Sequence, residues 1–166
     1  MIKILQVNNI DLPGKVFNGY DLINDLKHDF KIKQAVIIKQ SNNNKVIKIS
    51  NDVISQMLFK LENYEKALSI HNVFSVTSQS LMNLSEYKKA NIIHFHMFHN
   101  TRLSLASLPK ISKEKKVILS IHDPWMLTGR CVHFYKCKKW INGCDDCGDL
   151  SNTFEFNKDN TNLMWN

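Results

Sequence analysis

Arginine is almost missing from this chain, glycine and proline are sparse, and cysteine is absent from the first 130 residues. Each scarcity narrows the reading. Arg102 and Arg130 are the two arginines, whereas nucleic-acid binders usually concentrate that residue, so no nucleic-acid partner is expected. Five glycines and three prolines accompany 43% apolar and 22% charged residues, the composition of a folded globular domain and not of a disordered tail. No apolar run approaches the roughly 20 residues needed to cross a bilayer. The opening residues turn polar too early for a signal peptide, so a cytoplasmic protein is expected. The G-x-G-x-x-G spacing of a dinucleotide fingerprint is missing as well.

What is present fits one domain, since 166 residues suffice for a sizeable core but not for two enzyme domains. Lys and Arg number 22 against 15 Asp and Glu, a formal +7 that suits polyanionic partners such as anionic lipid or phosphorylated substrates. The lysines are spread among many asparagines. Lys113, Lys115 and Lys116, with Lys136, Lys138 and Lys139, are either an approach to an anionic membrane or solvated faces that keep the protein soluble.

The pattern along the chain alternates short apolar strands with helical stretches. Strands are expected at 2–7, 32–38, 46–49, 92–98 and 117–121. A helix follows Asn18 as N-cap, with Tyr20, Ile23, Leu26 and Phe30 at helical spacing and Asp21 in the first turn. A second begins at Asp52 and places Val53, Ile54, Met57, Leu58, Leu61 and Leu68 on one face, expected to be core. Further helical stretches are expected at 78–89 and 103–108. The alternation implies βαβ units, hence an α/β fold: a Rossmann-like parallel sheet flanked by helices. Residues 122–150 lack either period, and a structureless loop of that length is usually functional or tied down by a cross-link or metal. Asp159, Leu163, Met164 and Trp165 read as the start of a helix that the sequence cuts short, so the chain is expected to stop inside an element.

In an open parallel sheet, ligands bind beyond the carboxyl ends of the strands. Pro13, Gly14 and Gly19 follow the first strand, His96, His99 and Asn100 the fourth, and His122 and Asp123 the fifth. The 11–19 turn offers backbone N–H groups to a phosphate, or is an ordinary left-handed turn. His94 and His96, two apart in a strand, face one side, as a metal pair or as a satisfied buried pair. His122 and Asp123 suit contact with a ligand, or cap the next turn.

Cys131, Cys137, Cys144 and Cys147 read C-x5-C-x6-C-x2-C. A disulfide is disfavoured in a reducing cytoplasm. A redox-active Cys144–Cys147 pair is disfavoured because Asp145 and Asp146 between them raise thiol pKa values. Structural zinc on all four, and four reduced cysteines packing the loop, both remain open.

Together these residues resemble the N-terminal half of a bacterial group 1 glycosyltransferase, a family with two facing Rossmann-like domains in the GT-B arrangement. The matching pieces are 4–14 (Ile-Leu-Gln-Val-Asn-Asn-Ile-Asp-Leu-Pro-Gly), 17–22 (Phe-Asn-Gly-Tyr-Asp-Leu) and 92–100 (Ile-Ile-His-Phe-His-Met-Phe-His-Asn). Most specific is 122–133 (His-Asp-Pro-Trp-Met-Leu-Thr-Gly-Arg-Cys-Val-His), extended by Cys137, Trp140, Gly143, Cys144 and Cys147, with Asp159 and Trp165 beyond. The resemblance covers essentially the whole chain. It implies transfer of a sugar, of hexosyl type, from a nucleotide-sugar donor to a glycan or lipid-linked acceptor, with retention, in capsule or lipopolysaccharide assembly.

The same resemblance implies that residues 1–166 are the acceptor-side domain, that the nucleotide-sugar domain is absent, and that the chain alone is inactive. His122 and Asp123 would be the catalytic pair, His96, His99 and Asn100 would line the acceptor side, and Pro13 and Gly14 would lie near the donor diphosphate. Pro13-Gly14 replaces the paired glycines common in the family. No cofactor is required for catalysis, and peripheral contact with the inner face of an anionic membrane is the reading that the lysine triplets leave open beside solvated faces. The competing class is a zinc-stabilised basic binding module for phosphorylated glycans or nucleic acid.

Overall fold

A computed structural model describes residues 1–50, 52–74, 76–151 and 156–166. Five strands, β1 (Ile2–Asp11), β2 (Phe30–Lys39), β3 (Val46–Lys48), β4 (Ile92–His96) and β5 (Lys116–Ser120), form one parallel sheet in the order β3-β2-β1-β4-β5. The helices are α1 (Tyr20–Asp25), α2 (Asp52–Ala67), α3 (Thr77–Asn83), α4 (Ser85–Lys89), α5 (Leu108–Glu114) and α6 (Thr161–Trp165). This is the Rossmann-like α/β sheet that the alternation implies.

The side-chain period of two gives the sheet two unlike faces. Val7 pairs with Ala35 and Phe95, and Phe95 with Leu119, so the odd-numbered residues make an apolar row. Leu5, Val7, Ala35, Ile37, Ile93 and Phe95 pack there with Leu81 of α3, Tyr87 of α4 and Ile111 of α5, and this is the core. On the other face Gln6 pairs with Gln34 and His94, so a polar row crosses the middle of the sheet.

Several elements depart from the sequence pattern. Asn18 does not cap α1; Gly19 precedes it in the left-handed conformation (φ 78°), while the Asn18 carbonyl accepts from Asn8 Nδ2 at 2.9 Å. The 78–89 helix is two, because Leu84 is extended (φ −59°, ψ 139°) and redirects the chain so that Tyr87 is buried. The fourth strand stops at His96, where Met97 turns left-handed (φ 45°) into a 3-10 turn at Phe98–Asn100. Residues 103–108 hold a 3-10 turn, Leu105–Ser107, before α5.

Between β2 and β3 no helix intervenes. Residues 40–45 double back along β2, so Gln34 N–H reaches the Lys45 carbonyl at 2.9 Å and β3 pairs only with Gln34–Val36. So short a return is possible because the pairing is so short; a full parallel neighbour needs a crossover of a dozen or more residues.

The α2 stripe is a second correction. Val53 and Met57 are 68% and 50% exposed, and Tyr64 and Leu68 are exposed on the same row. The inward position one step round is Glu65, whose buried carboxylate accepts the N–H groups of Asn72 (2.9 Å), Val73 (2.7 Å) and Phe74. The helix is thus anchored by a polar cap on the following loop. The Asp52 cap and the Ile54 and Leu58 positions lie outside the described side chains. No helix among the described residues is long and apolar enough to cross a membrane.

Candidate functional site

The strand order reverses direction between β1 and β4, and the crevice outside the carboxyl ends at such a switch point is the ligand position in open α/β sheets. His94 and His96 stand there on the polar face, their ring centroids 4.0 Å apart. His94 Nε2 lies 2.8 Å from Ser120 Oγ of β5, and His96 Nδ1 lies 3.1 Å from Nε2 of the exposed His122. The expected same-side pair is therefore real, and His122 completes a row of three imidazoles running from the sheet interior to the surface.

A second pair sits beside it. His99 Nδ1 is 3.7 Å from Asp123 Oδ2, while Asp123 Oδ1 accepts the Trp125 N–H at 2.9 Å and so caps the 3-10 turn Pro124–Leu127. Asp123 thus caps the turn, one of the two readings the sequence left open, and also faces an imidazole. His71 Nε2 bonds the His99 carbonyl at 3.0 Å, and Trp125 contacts both rings with centroids 5.7 Å and 5.5 Å away.

Burial decides the charge of this cluster. Desolvation, aided by the His94 and His122 rings, pushes His96 down to about 4, and it lowers His94 likewise. Burial also lowers His99, outweighing the opposing pull of the Asp123 carboxylate, and lowers His71. At neutral pH these are uncharged imidazoles, each able to donate one hydrogen bond and accept another. Such a set can donate to and accept from neutral hydroxyl groups.

Gly19 seals the inner side. A Cβ there would lie 2.7 Å from both Gln6 Oε1 and His96 Nε2, so only glycine fits, and Gln6 Nε2 donates to the Gly19 carbonyl at 3.1 Å. Pro13 and Gly14, by contrast, sit at the tip of a turn closed by Lys15 N–H to the Leu12 carbonyl, where a Cβ on Gly14 would meet nothing within 4 Å. Beside that turn runs a cavity of about 190 Å³ lined by Asn8, Leu12, Lys15 and Phe17 among others. Asn100 lies in the turn after β4 with its N–H on the Met97 carbonyl.

Beyond Trp125 a groove of about 260 Å³ is lined by Leu105, Trp125, Met126, Thr128, Met164 and Trp165. The buried Trp125 Nε1 has no partner among the described residues. Arg130, 1% exposed, donates to the carbonyls of Asp149 (2.8 Å) and Leu150 (2.7 Å) and lies 4.7 Å over the Phe156 ring.

The sequence named His96, His99, His122 and Asp123, and the structure brings them together. It did not name Gln6, His71, Ser120 or Trp125 as members. Gln6 carried a signal, a polar residue inside an apolar strand; His71, isolated before α3, carried none. Of the two lysine triplets, Lys115 Nζ is held by the Lys88 and Ala90 carbonyls at 2.9 and 2.8 Å, and Lys139 Nζ by the Asp145 carbonyl at 3.2 Å. All four cysteines are free thiols, and no group of three or more His, Cys, Asp or Glu among the described residues is arranged to hold a metal ion as it stands.

Comparison with known proteins points to one class. Over 68 residues the chain is 32% identical to "Putative colanic acid biosynthesis glycosyl transferase WcaC" of Escherichia coli (strain K12). That match takes in 37% of this chain and 17% of the relative, so the chain spans only a small part of the protein it resembles. The chain is thus related to a glycosyltransferase through this segment. No protein-family model and no solved structure matches it.

Proposed function

We propose that this chain is the acceptor-side, N-terminal domain of a retaining glycosyltransferase of GT-B architecture, which moves a hexosyl group from a nucleotide sugar onto a surface-glycan acceptor. The reading rests on one observation above all: the imidazoles of His96, His99 and His122, with Asp123, converge at the switch point of a Rossmann-like sheet. The segment shared with a glycosyl transferase supports the same class.

In this reading His122, exposed and braced through Nε2 by His96, turns its other ring nitrogen to the cleft and positions the transferred sugar. Asp123 acts beside it, and His96, His99 and Asn100 face the acceptor. Pro13 and Gly14 approach the donor diphosphate, most of which is held by a second domain. The reaction needs no cofactor, and the acceptor is a glycan or lipid-linked glycan at the inner face of the membrane.

Joined to a nucleotide-sugar-binding domain, the chain should transfer sugar, and His122→Ala should lower kcat by about a hundredfold or more, the usual weight of a positioned imidazole. An unchanged rate would overturn the assignment of His122. The isolated 166 residues should release no nucleoside diphosphate from any nucleotide sugar, and turnover by them would overturn the half-enzyme reading. Titration of the isolated chain with acceptor oligosaccharides should shift the imidazole NMR signals of His99 and His122.

A further inference from the structure

The row of imidazoles has an inner end with a fixed hydrogen-bond direction, and we propose that Gln6, at that end, is a positioning residue which sets the tautomers of His96 and His122. Through that setting His122 offers the cleft a bare Nδ1, an acceptor for a substrate hydroxyl. Gln6 is fully buried in the middle of β1, on the polar row with Gln34 and His94. A neutral imidazole carries its one proton on either ring nitrogen, and what each nitrogen faces decides which. The Ser120 hydroxyl can donate or accept, so it leaves His94 undecided. The contact of His96 Nδ1 with His122 Nε2 is equally indifferent, since either ring could be the donor.

Gln6 is not indifferent. Its Nε2 donates at 3.1 Å to the Gly19 carbonyl, which can only accept, so the amide is held with Oε1 as its other end. Oε1 and His96 Nε2 are both buried, and neither has a hydrogen-bond partner among the described residues. They face one point: a Cβ on Gly19 would lie 2.7 Å from each, and these two side chains supply the three atoms nearest to it. A lone pair on His96 Nε2 would confront the lone pairs of Oε1 in a weakly screened interior, whereas an N–H there is attracted to them. The proton of His96 therefore belongs on Nε2. Burial holds His96 uncharged down to about 4, so Nδ1 does not take a second proton at neutral pH.

The direction then passes outward. With its proton on Nε2, His96 has a bare Nδ1, which accepts the His122 Nε2 N–H across 3.1 Å. Neutral His122 is left with a bare Nδ1 on an exposed ring. Such a nitrogen accepts from a hydroxyl and repels the oxygens of a phosphate, so this end of the row selects a hydroxyl. The opposite tautomer would present an N–H and invert that choice. Gln6 touches no ligand here and acts through His96. The use of the bound hydroxyl in sugar transfer rests on the glycosyltransferase reading; the tautomers do not.

The test needs neither sugar nor a second domain. In the full chain, isotope-labelled and held at a pH of about 8, above the ordinary 6.5 of histidine, long-range proton–nitrogen correlation spectra should show Nε2 protonated and Nδ1 bare in both His96 and His122. The His96 Nε2 proton should exchange slowly and show cross-relaxation with the Gln6 side chain and the Gly19 α-protons. Gln6→Met keeps the side-chain length and removes the acceptor, and it should move the His122 nitrogen signals toward those of a mixture of tautomers while the far-ultraviolet spectrum of the sheet persists. Inorganic phosphate should leave the His122 Nδ1 signal in place. A protonated Nδ1 on His96 or His122 in the wild-type chain would overturn the proposal, as would a folded Gln6→Met chain with unchanged tautomers. A phosphate-driven shift of His122 Nδ1 toward its protonated form would overturn the preference for a hydroxyl. If Gln6→Met does not fold, the wild-type cross-relaxation decides: its presence upholds the role of Gln6 and its absence ends it. Reversed tautomers would leave the enzyme class standing, and sugar transfer undisturbed by loss of His122 would leave the tautomers standing.

Discussion

The same three central strands build two unlike surfaces, and the contrast between them separates stability from chemistry. Their odd-numbered residues, Leu5, Val7, Ala35, Ile37, Ile93 and Phe95, are closed off by α3, α4 and α5. Their even-numbered residues Gln6, Gln34, His94 and His96 are buried nearly as well, yet polar. On that face Gln6 Oε1, both ends of the Gln34 amide and His96 Nε2 have no partner among the described residues. A buried polar atom left unpaired costs about 1–3 kcal/mol. The odd-numbered face therefore supplies the main core, and the other, although Ile32 and Val36 are buried on it, carries a polar layer beneath the candidate site at some cost to stability.

The contrast can be broken by substitution, beginning on the apolar face. Phe95→Ala should destabilise the chain by about 3–5 kcal/mol in urea unfolding, since a fully buried ring leaves a cavity. A loss below 1 kcal/mol would mean that this face is not the core.

Acid should act through the other face. In the unfolded chain histidine protonates below its ordinary 6.5, whereas His96 in the fold resists until about 4. Between those values the unfolded chain binds more protons, so stability is complete above 6.5 and falls as pH drops toward 4. The loss from His96 is about 3 kcal/mol at 1.36 kcal/mol per pKa unit, and His96→Gln should flatten the pH dependence of the urea midpoint. An unchanged slope would remove His96 as its cause.

Gly19→Ala should cost about 1–2 kcal/mol for the left-handed backbone alone. It should also displace the His96 ring, visible as a shift in its imidazole NMR signals, because the new methyl meets Gln6 Oε1 and His96 Nε2. Smallest is Gln34→Leu, which should be neutral or stabilise by up to about 1 kcal/mol, because it removes an unpaired buried amide. Destabilisation beyond 2 kcal/mol would show that the amide is bonded.

How far the sequence could anticipate this follows from which forces are local. β1, β2, β4 and β5 announce themselves through β-branched runs, and the parallel sheet follows from their alternation with helices. That the residues after β4 and β5 come together was legible because strand ends converge by topology. Misreadings arose where a tertiary contact overrode a local preference. The α2 stripe looked like core because apolar spacing cannot reveal that Glu65 turns inward to bind three backbone N–H groups. Asn18 looked like a cap, but Asn8 claimed its carbonyl and Gly19 took the turn. His71 joins the cluster only through a loop that folds back on His99, which no spacing encodes.

The buried Arg130 has a consequence for how this protein can vary. By bonding the carbonyls of Asp149 and Leu150, it closes residues 131–148 into a loop whose two feet are pinned together. All four cysteines lie inside that closure. Changes of length in its exposed middle, around Tyr135 and Ile141, leave that anchorage in place, whereas Val132 within the same closure packs against the core. Lengthening such a closed loop costs little, each doubling about 0.6 kcal/mol. The exposed middle of the segment is therefore a place where added length costs the fold little.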